Sequence, residues 1–153
     1  MATGSQARKT LRTDAARLVA ECAGCSSRLV ARLISQFLDR ELASAGLTLA
    51  QLGLMAQIAA FSDDTLGALA RRTGLDQSTL SRNLRSLENE GLVEIAMVDG
   101  DLRRRMVWLT EAGARRVEAA IPVWRKAHAR LSRHVSPALA LELAEAAASL
   151  ARP

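Results

Sequence analysis

Apolar residues recur at intervals of three and four positions through much of the chain, which is the spacing of one helix face. This pattern over residues 15–45 predicts a long helical segment. Gly24 is expected to divide the segment, with Ser26 or Ser27 capping the helix that continues. A capping box over Thr48–Gln51 begins the next predicted helix. The first third of the chain is therefore predicted to be helical.

A short helix, a tight turn and a second helix are predicted within residues 65–91. The first helix ends at Gly74, a residue type favoured in the left-handed conformation after a helix. Asp76 is expected to cap the second helix, because its carboxylate can accept from the free N–H of Thr79. The buried stripe of the second helix is predicted to be Leu80, Leu84 and Leu87. This spacing is typical of a helix-turn-helix.

The opposite face of that second helix is polar. It carries short hydroxyl and amide side chains and guanidinium groups, the chemical types that bind base edges and phosphates in a major groove. These residues are Gln77, Ser78, Ser81, Arg82 and Arg85. We predict that this face is a nucleic-acid surface.

A two-stranded hairpin is predicted directly after this helix. An apolar run begins at Leu92, Asp99-Gly100 is a strong turn signal, and a return strand is expected over residues 105–109. Thr110 can then cap another helix. The tip of the hairpin is predicted to carry Asp101, Arg103 and Arg104. A helix-turn-helix followed by such a hairpin predicts a winged helix-turn-helix.

Three segments together resemble the MarR family of bacterial transcription regulators over about residues 26–150. They are LDQSTLSRNLRSLENEGLV, the Asp101-x-Arg103 tip, and VWLTEAG from Val107 to Gly113. The resemblance implies a winged helix that binds double-stranded DNA as a homodimer. It places Ser78, Thr79, Ser81, Arg82 and Arg85 on the DNA-reading helix.

The resemblance also assigns roles to the hairpin. It implies that Arg103 enters the minor groove and that Asp101 orients it. Family members usually carry arginine just after the position of Val93, where this chain has Ile95 and Ala96. One phosphate contact of the family is therefore expected to be missing, or to be replaced by Arg104 or Arg105.

The predicted fold class is mainly α with a small β-hairpin wing, in which a winged helix-turn-helix is flanked by N- and C-terminal dimerisation helices. Residues 1–14 are expected to form a flexible basic arm, and residues 15–153 a single domain. Within that domain, the DNA-binding lobe is predicted over 48–110, and the dimerisation helices over 15–45 and 111–153. The nearly uniform Ala and Leu content of the last helix favours a partner surface.

Composition agrees with a polyanionic partner. The chain has 21 Lys and Arg against 16 Asp and Glu, a formal net charge of +5. Seven arginines and no lysine lie between residues 71 and 105, which clusters the charge on the predicted winged helix. No secretory signal or membrane-spanning run is recognised. The expected location is the cytoplasm.

Cys22 and Cys25 form a CxxC pair that has three interpretations. The cysteines can be small apolar residues of the helix core. They can be a redox pair, in which a thiol at a helix N-terminus is activated and the second thiol resolves a sulfenic acid. They can also supply ligands to a metal or iron–sulfur site, although CxxC provides only two of the four ligands that zinc needs.

The sequence thus predicts a homodimeric repressor that binds a near-palindromic operator and is released by a small molecule or an oxidant. The resemblance implies a small aromatic effector, for which Phe37, Leu38, Met55 and Trp108 are candidate pocket walls. A helical protein-interaction adaptor with a vestigial wing is the alternative from another class. No enzyme activity, cofactor or metal site is predicted, because no nucleophile–base pair, phosphate loop or metal-ligand cluster is recognised in the sequence.

Overall fold

The computed structural model describes residues 3–61, 65–98 and 101–151, with side chains described over 10–61, 65–97 and 105–150. Helices and one hairpin make up most of this part of the chain. In chain order the elements are α1 (Thr3–Glu21), α2 (Ala23–Leu42), α3 (Leu49–Ala60), α4 (Leu66–Thr73), α5 (Gln77–Asn89), β1 (Val93–Val98), β2 (Asp101–Leu109), α6 (Glu111–Leu131) and α7 (Pro137–Ala148). Short 3₁₀ turns cover Ala43–Ala45 and Ser149–Ala151. The mainly helical fold class with a small hairpin is confirmed.

The chain divides into two compact units, Met1–Phe37 and Leu38–Pro153, where the sequence predicted one domain from residue 15. In the first unit, α1 already begins at Thr3, so the segment expected to be a flexible arm has helical backbone. The break between α1 and α2 falls at Cys22, and not at Gly24, so neither Ser26 nor Ser27 caps α2 as expected. The Cys22 carbonyl accepts from the N–H of Ser26 at 3.1 Å, which places Ser26 inside the first turn of α2.

The core of the second unit is built from aliphatic side chains of α3, α4, α5, α6 and the hairpin. The expected stripe of α5 is buried, with Leu80, Leu84 and Leu87 at most 3% exposed. The largest fully buried side chains are Leu42, Met55, Leu69, Leu84, Leu87, Val93 and Val107. A contiguous cluster of this kind is the main source of stability for a small domain, since apolar burial is the dominant favourable term in folding.

The helix ends of the second unit follow the local sequence signals. Thr48 and Gln51 form the expected capping box, with the Thr48 N–H bound to Gln51 Oε1 at 2.9 Å. Gly74 ends α4 in the left-handed conformation, at a φ of 65°. Asp76 caps α5 as predicted, since its Oδ1 accepts from the Thr79 N–H at 2.9 Å. The turn between α4 and α5 is therefore fixed at both ends.

The hairpin is antiparallel, and its inner face carries the pairs Val93 with Leu109 and Ile95 with Val107. The register shifts between Met97 and Val98, and the expected turn at Asp99-Gly100 lies outside the described residues. β2 begins at Asp101 and not at residue 105, so the backbone expected to form the tip belongs to the strand. An isolated bridge joins Met106 to Thr65, which ties the hairpin to the start of α4.

The base of the hairpin is fastened to α6. Thr110 caps α6 as predicted, accepting from the Gly113 N–H at 3.0 Å while its hydroxyl donates to the Gly91 carbonyl at 2.7 Å. The Thr110 N–H donates to the Leu92 carbonyl at 3.1 Å. At Gly113 a Cβ atom would lie 1.9 Å from that same Leu92 oxygen. Only glycine allows the start of α6 to come this close to the strand.

Every described residue of α7 is exposed, including Leu139, Leu141 and Leu143. Large apolar residues of the first unit are also exposed, among them Leu18, Leu29 and Leu33. In the described part of the chain no single helix is long and apolar enough to cross a membrane. Only a bent pair, Ala23–Ala45 with Leu49–Ala60, passes on length and composition together.

Candidate nucleic-acid interface

The polar face of α5 points away from the core. Its leucine stripe packs inward, and the rest of the helix is presented to solvent. The exposed residues include five candidates, namely Gln77, Ser78, Ser81, Arg82 and Arg85. Thr79, the sixth candidate on this helix, is half-buried. The structure therefore brings the six α5 candidates together on one surface with two exposed guanidinium groups.

The N-terminus of α5 is organised by the Asp76 carboxylate. Its Oδ1 accepts from the Ser78 hydroxyl at 2.6 Å and from the Thr79 N–H at 2.9 Å. Its Oδ2 accepts from the Thr79 hydroxyl at 2.8 Å. Three donors thus converge on one carboxylate, and both hydroxyl groups at the start of the polar face have a fixed orientation.

These bonds also hold Asp76 in its charged form. The Ser78 hydroxyl, followed by the Thr79 N–H and hydroxyl, lowers the pKa of Asp76 well below its usual range. A donor bound to a carboxylate stabilises the anion, and the slight burial of the group acts in the opposite direction with a smaller effect. Asp76 is therefore an acceptor-only group across the neutral and mildly acidic range.

The other end of α5 is attached to the first turn of α3. Glu90 Oε1, just beyond α5, accepts from Gln51 Nε2 at 3.1 Å and from the Ser86 hydroxyl at 3.2 Å. Gln51 is also a member of the α3 capping box. These contacts connect two helices at an exposed edge, so the orientation of α5 is set by polar bonds as well as by its buried stripe.

The hairpin contributes one described cation near its outer end. Arg105 is exposed on β2 and pairs in register with Met97 of β1. The predicted tip residues Asp101, Arg103 and Arg104 have backbone in β2, but their side chains lie outside the described residues. On the outer face, Trp108 Nε1 donates to Glu94 Oε2 at 3.0 Å.

Comparison with known proteins decides the family. A family model described as MarR family matches residues 45–104, from the end of the 3₁₀ turn after α2 into β2. The crystal structure of the M. tuberculosis transcriptional regulator MosR in complex with DNA superposes with a TM-score of 0.77 at 34% sequence identity. That match covers 87% of this chain and 100% of the MosR chain. The chain belongs to the MarR family.

Other relatives of this MarR-family chain agree. A second M. tuberculosis MosR structure has a TM-score of 0.74 and 31% identity, covering 86% of this chain and 97% of that one. The transcriptional regulator HosA of Escherichia coli O111:H- is 38% identical in a 67-residue alignment that covers 37% of this chain and 50% of HosA. The chain thus spans about half the length of HosA. The match to the family model includes all of α3, α4, α5 and β1.

The two cysteines lie at the junction of α1 and α2, within the first unit. Cys22 is half-buried and Cys25 is exposed. The interpretation of the two cysteines as core thiols therefore does not fit the single chain. The pKa of Cys22 is lowered, chiefly because the backbone N–H and then the thiol of Cys25 donate to its sulfur. The pKa of Cys25 is raised in return. Among the described residues no group of three or more His, Cys, Asp or Glu could hold a metal ion.

The candidate effector-pocket residues lie in different environments. Leu38 is 4% exposed, and Met55 is fully buried within the core cluster of the second unit. Trp108 is half-buried on the outer face of the hairpin, where it is bound to Glu94. Phe37 is the last residue of the first unit and is half-buried. A ligand pocket formed by these residues stays a prediction.

Two features near the helix-turn-helix were missed in the sequence. One is the bonding of Asp76 to both hydroxyls, for which the adjacent Ser78 and Thr79 in the sequence DQST were the available signal. The other is the Arg72 guanidinium, whose Cζ lies 4.6 Å from the centroid of the Phe61 ring. Arg72 therefore supports the end of α3, and its charge is partly committed to the fold.

Proposed function

We propose that the chain is a sequence-specific transcription regulator that binds double-stranded DNA with the exposed face of α5 and the hairpin. It acts as a homodimeric repressor in the cytoplasm, and a small-molecule or oxidant signal releases it from a near-palindromic operator. The observation that carries the proposal is the polar α5 face, on which Arg82 and Arg85 are presented opposite a buried leucine stripe. The likeness to MosR in complex with DNA, at 34% identity over most of the chain, supports it.

Physical chemistry agrees with this use of α5. A major groove admits an α-helix, and guanidinium groups bind guanine edges and phosphates through paired hydrogen bonds. The Asp76 cap and the Glu90 contacts fix both ends of α5 before DNA arrives, so little ordering is needed on binding. Arg105 on β2 adds a cation that can replace the family phosphate contact missing at Ile95.

Exposed apolar side chains support the homodimer. Leu139 and Leu143 are one helical turn apart on α7 and are 61% and 52% exposed. Leu18 and Leu33 in the first unit are 62% and 54% exposed. Apolar surface of this extent on a small chain indicates an interaction site, and a second copy is the occupant that we propose. Two reading helices related by a two-fold axis require operator half-sites about one helical turn apart.

Fluorescence anisotropy with labelled DNA from upstream of the chain's own gene tests the proposal. We expect binding at low salt that weakens steeply as salt is added, because cations released from the phosphates drive association. A scrambled duplex of the same length should bind more weakly at every salt concentration. Equal affinity for both duplexes would leave only nonspecific binding, and absence of binding would favour a helical adaptor.

We propose a thiol signal at Cys22 and Cys25 as a second candidate for the regulation. Cys22 directly precedes α2, and the backbone N–H groups of Cys25 and Gly24 help to lower the pKa of its thiol. A thiolate is the nucleophilic form of cysteine, and helix N-termini favour it. The Cys25 thiol also lowers the pKa of Cys22, and its position three residues further along the chain suits a resolving thiol.

The reaction that we propose uses a peroxide as oxidant. The Cys22 thiolate attacks one peroxide oxygen, the O–O bond breaks, and hydroxide or alkoxide leaves with a sulfenic acid on Cys22. The Cys25 sulfur then attacks the Cys22 sulfur, the S–O bond breaks, the Cys25 thiol proton leaves with the departing hydroxide as water, and a disulfide forms. Two thiols are oxidised and one peroxide is reduced. A disulfide across the first turn of α2 would reshape the α1–α2 junction.

Repeating the anisotropy titration after mild peroxide treatment tests this signal. We expect weaker binding that recovers with added thiol, and Cys22→Ser should bind normally and ignore peroxide. Cys25→Ser should respond to peroxide, but without disulfide formation on intact-mass analysis. If peroxide does not change the DNA affinity of the wild type, the thiol signal is wrong, and the chain is a ligand-responsive or constitutive regulator.

A further inference from the structure

We propose that Asp76 makes the Ser78 hydroxyl a hydrogen-bond acceptor that recognises the amino groups of DNA bases. On this assignment, which rests on the proposed DNA binding, the Ser78 hydroxyl selects adenine or cytosine on the strand that faces it and makes no phosphate contact. The reason is that the hydrogen of the Ser78 hydroxyl is already donated to Asp76. Its three steps are the charge state of Asp76, the bonding of Ser78, and the donor pattern of DNA.

The first step is that Asp76 can only accept. Its carboxylate binds the Ser78 hydroxyl, the Thr79 N–H and the Thr79 hydroxyl, all of which stabilise the anion. An ionised carboxylate has no hydrogen to give. The Ser78 hydroxyl, at 2.6 Å from Oδ1, must therefore be the donor of that bond. Hydrogen bonds from a hydroxyl to an anion are the short and strong class.

The second step is that Ser78 is left with acceptor capacity alone. A serine hydroxyl has one hydrogen and two lone pairs, and the hydrogen is used by Asp76. The Thr79 hydroxyl is committed to the same carboxylate, but Thr79 is half-buried whereas Ser78 is exposed. Ser78 is thus the hydroxyl at the start of α5 that offers its lone pairs outward.

The third step is the chemistry of the major groove. Adenine N6 and cytosine N4 are donors there, whereas guanine N7 and O6, thymine O4 and the phosphate oxygens are acceptors. An acceptor-only hydroxyl pairs with the first two and with none of the others. The negative charge of Asp76 beside it also opposes the close approach of a phosphate. The same serine without Asp76 could rotate and bind either kind of group.

Two variants separate these steps, and a third is the control. Ser78→Ala removes the hydroxyl from an exposed position in the first turn. Asp76→Gly keeps a tolerated N-cap residue but removes both carboxylate oxygens, so the Ser78 hydroxyl is released to act as a donor. Ser132→Ala is the matched control, because it removes one exposed hydroxyl just beyond α6 from a residue that is not a DNA-binding candidate. Circular dichroism confirms that each variant is folded, and Asp76→Ser, a good cap whose hydroxyl can donate to Ser78 as well as accept, replaces Asp76→Gly if that variant is not.

The experiment selects duplexes from a library with a randomised core and measures the preferred ones by anisotropy at several salt concentrations. For the wild type we expect one position in each half-site to require adenine or cytosine on one strand. Ser78→Ala should lose discrimination there by about two- to tenfold, the range of one hydrogen bond. Its salt dependence should stay unchanged. Asp76→Gly should admit guanine or thymine at that position, and Ser132→Ala should leave the selected sequence unaltered.

Three outcomes would overturn the proposal. A salt slope that falls by about one in Ser78→Ala would show that Ser78 binds a phosphate. An unchanged consensus in Ser78→Ala would show that Ser78 reads no base. An Asp76→Gly consensus identical to the wild type would show that Asp76 does not set the hydrogen-bonding direction. If the wild type enriches no sequence at all, the proposed function itself fails.

Discussion

Gly113 shows how much of this fold depends on one missing side chain. The start of α6 passes so close to Leu92 that a Cβ would meet its carbonyl oxygen at 1.9 Å, and backbone cannot move aside as a flexible side chain can. The motif VWLTEAG was recognised in the sequence, and the cap at Thr110 was predicted from it. The close approach could not be predicted, because it depends on how β1 and α6 meet in space.

Gly113→Ala should therefore destabilise the chain. We expect the free energy of unfolding to fall by about 1–3 kcal/mol or more, the usual cost of forcing extra volume into a packed site. Urea unfolding followed by circular dichroism measures it. Gly53→Ala is the matched control, because no atom lies within 4 Å of a Cβ there and alanine favours a helix interior. Equal stability of the two variants would contradict the packing at Leu92.

Individual elements differ in how well local sequence determines them. The caps at Thr48 and Asp76 were predicted because capping depends on residues three positions apart. The break at Cys22 was missed because cysteine is not a preferred cap and Gly24 attracted the prediction. The start of β2 at Asp101 was missed because strand pairing depends on the opposite strand, here Val98.

The lowered pKa of Cys22, at the α1–α2 junction, has a measurable consequence. Because donors to its sulfur lower its pKa, alkylation by iodoacetamide should reach half its maximal rate at lower pH for Cys22 than for Cys25. Cys25→Ser leaves Cys22 alone with the backbone donors, and Cys22→Ser leaves Cys25 alone as the comparison. Mass spectrometry after timed quenching gives both pH profiles. Coincident profiles would contradict the lowered pKa of Cys22.

At the scale of the whole molecule, the family and the winged helix were both evident from the sequence, and the comparisons confirm them. The partner surface on α7 and the tip of the hairpin were predicted only in outline. Exposed leucines on α7 indicate a partner, but amphipathic spacing alone cannot distinguish a second copy from another protein. The roles of Asp101, Arg103 and Arg104 likewise stay predictions, since their side chains lie outside the described residues.

Leu139→Glu tests the homodimer. Burying a leucine side chain contributes about 1.5–3 kcal/mol, so a charge at this position should raise the dimer dissociation constant by at least about tenfold. Light scattering coupled to size-exclusion chromatography measures the mass across a dilution series. Glu142→Gln on the same helix is the control and should remain dimeric. A wild-type chain that is monomeric at every concentration would contradict the dimer.

The most direct test of the account is the DNA affinity of Arg82→Ala, measured by fluorescence anisotropy on the operator and on a scrambled duplex. Arg82 is exposed on the α5 face, and its removal should cost about 1–3 kcal/mol of operator binding. Arg125→Ala, which removes an exposed arginine from α6, should bind like the wild type. If Arg82→Ala keeps the full affinity and selectivity of the wild type, the assignment of α5 as the DNA-reading helix is wrong.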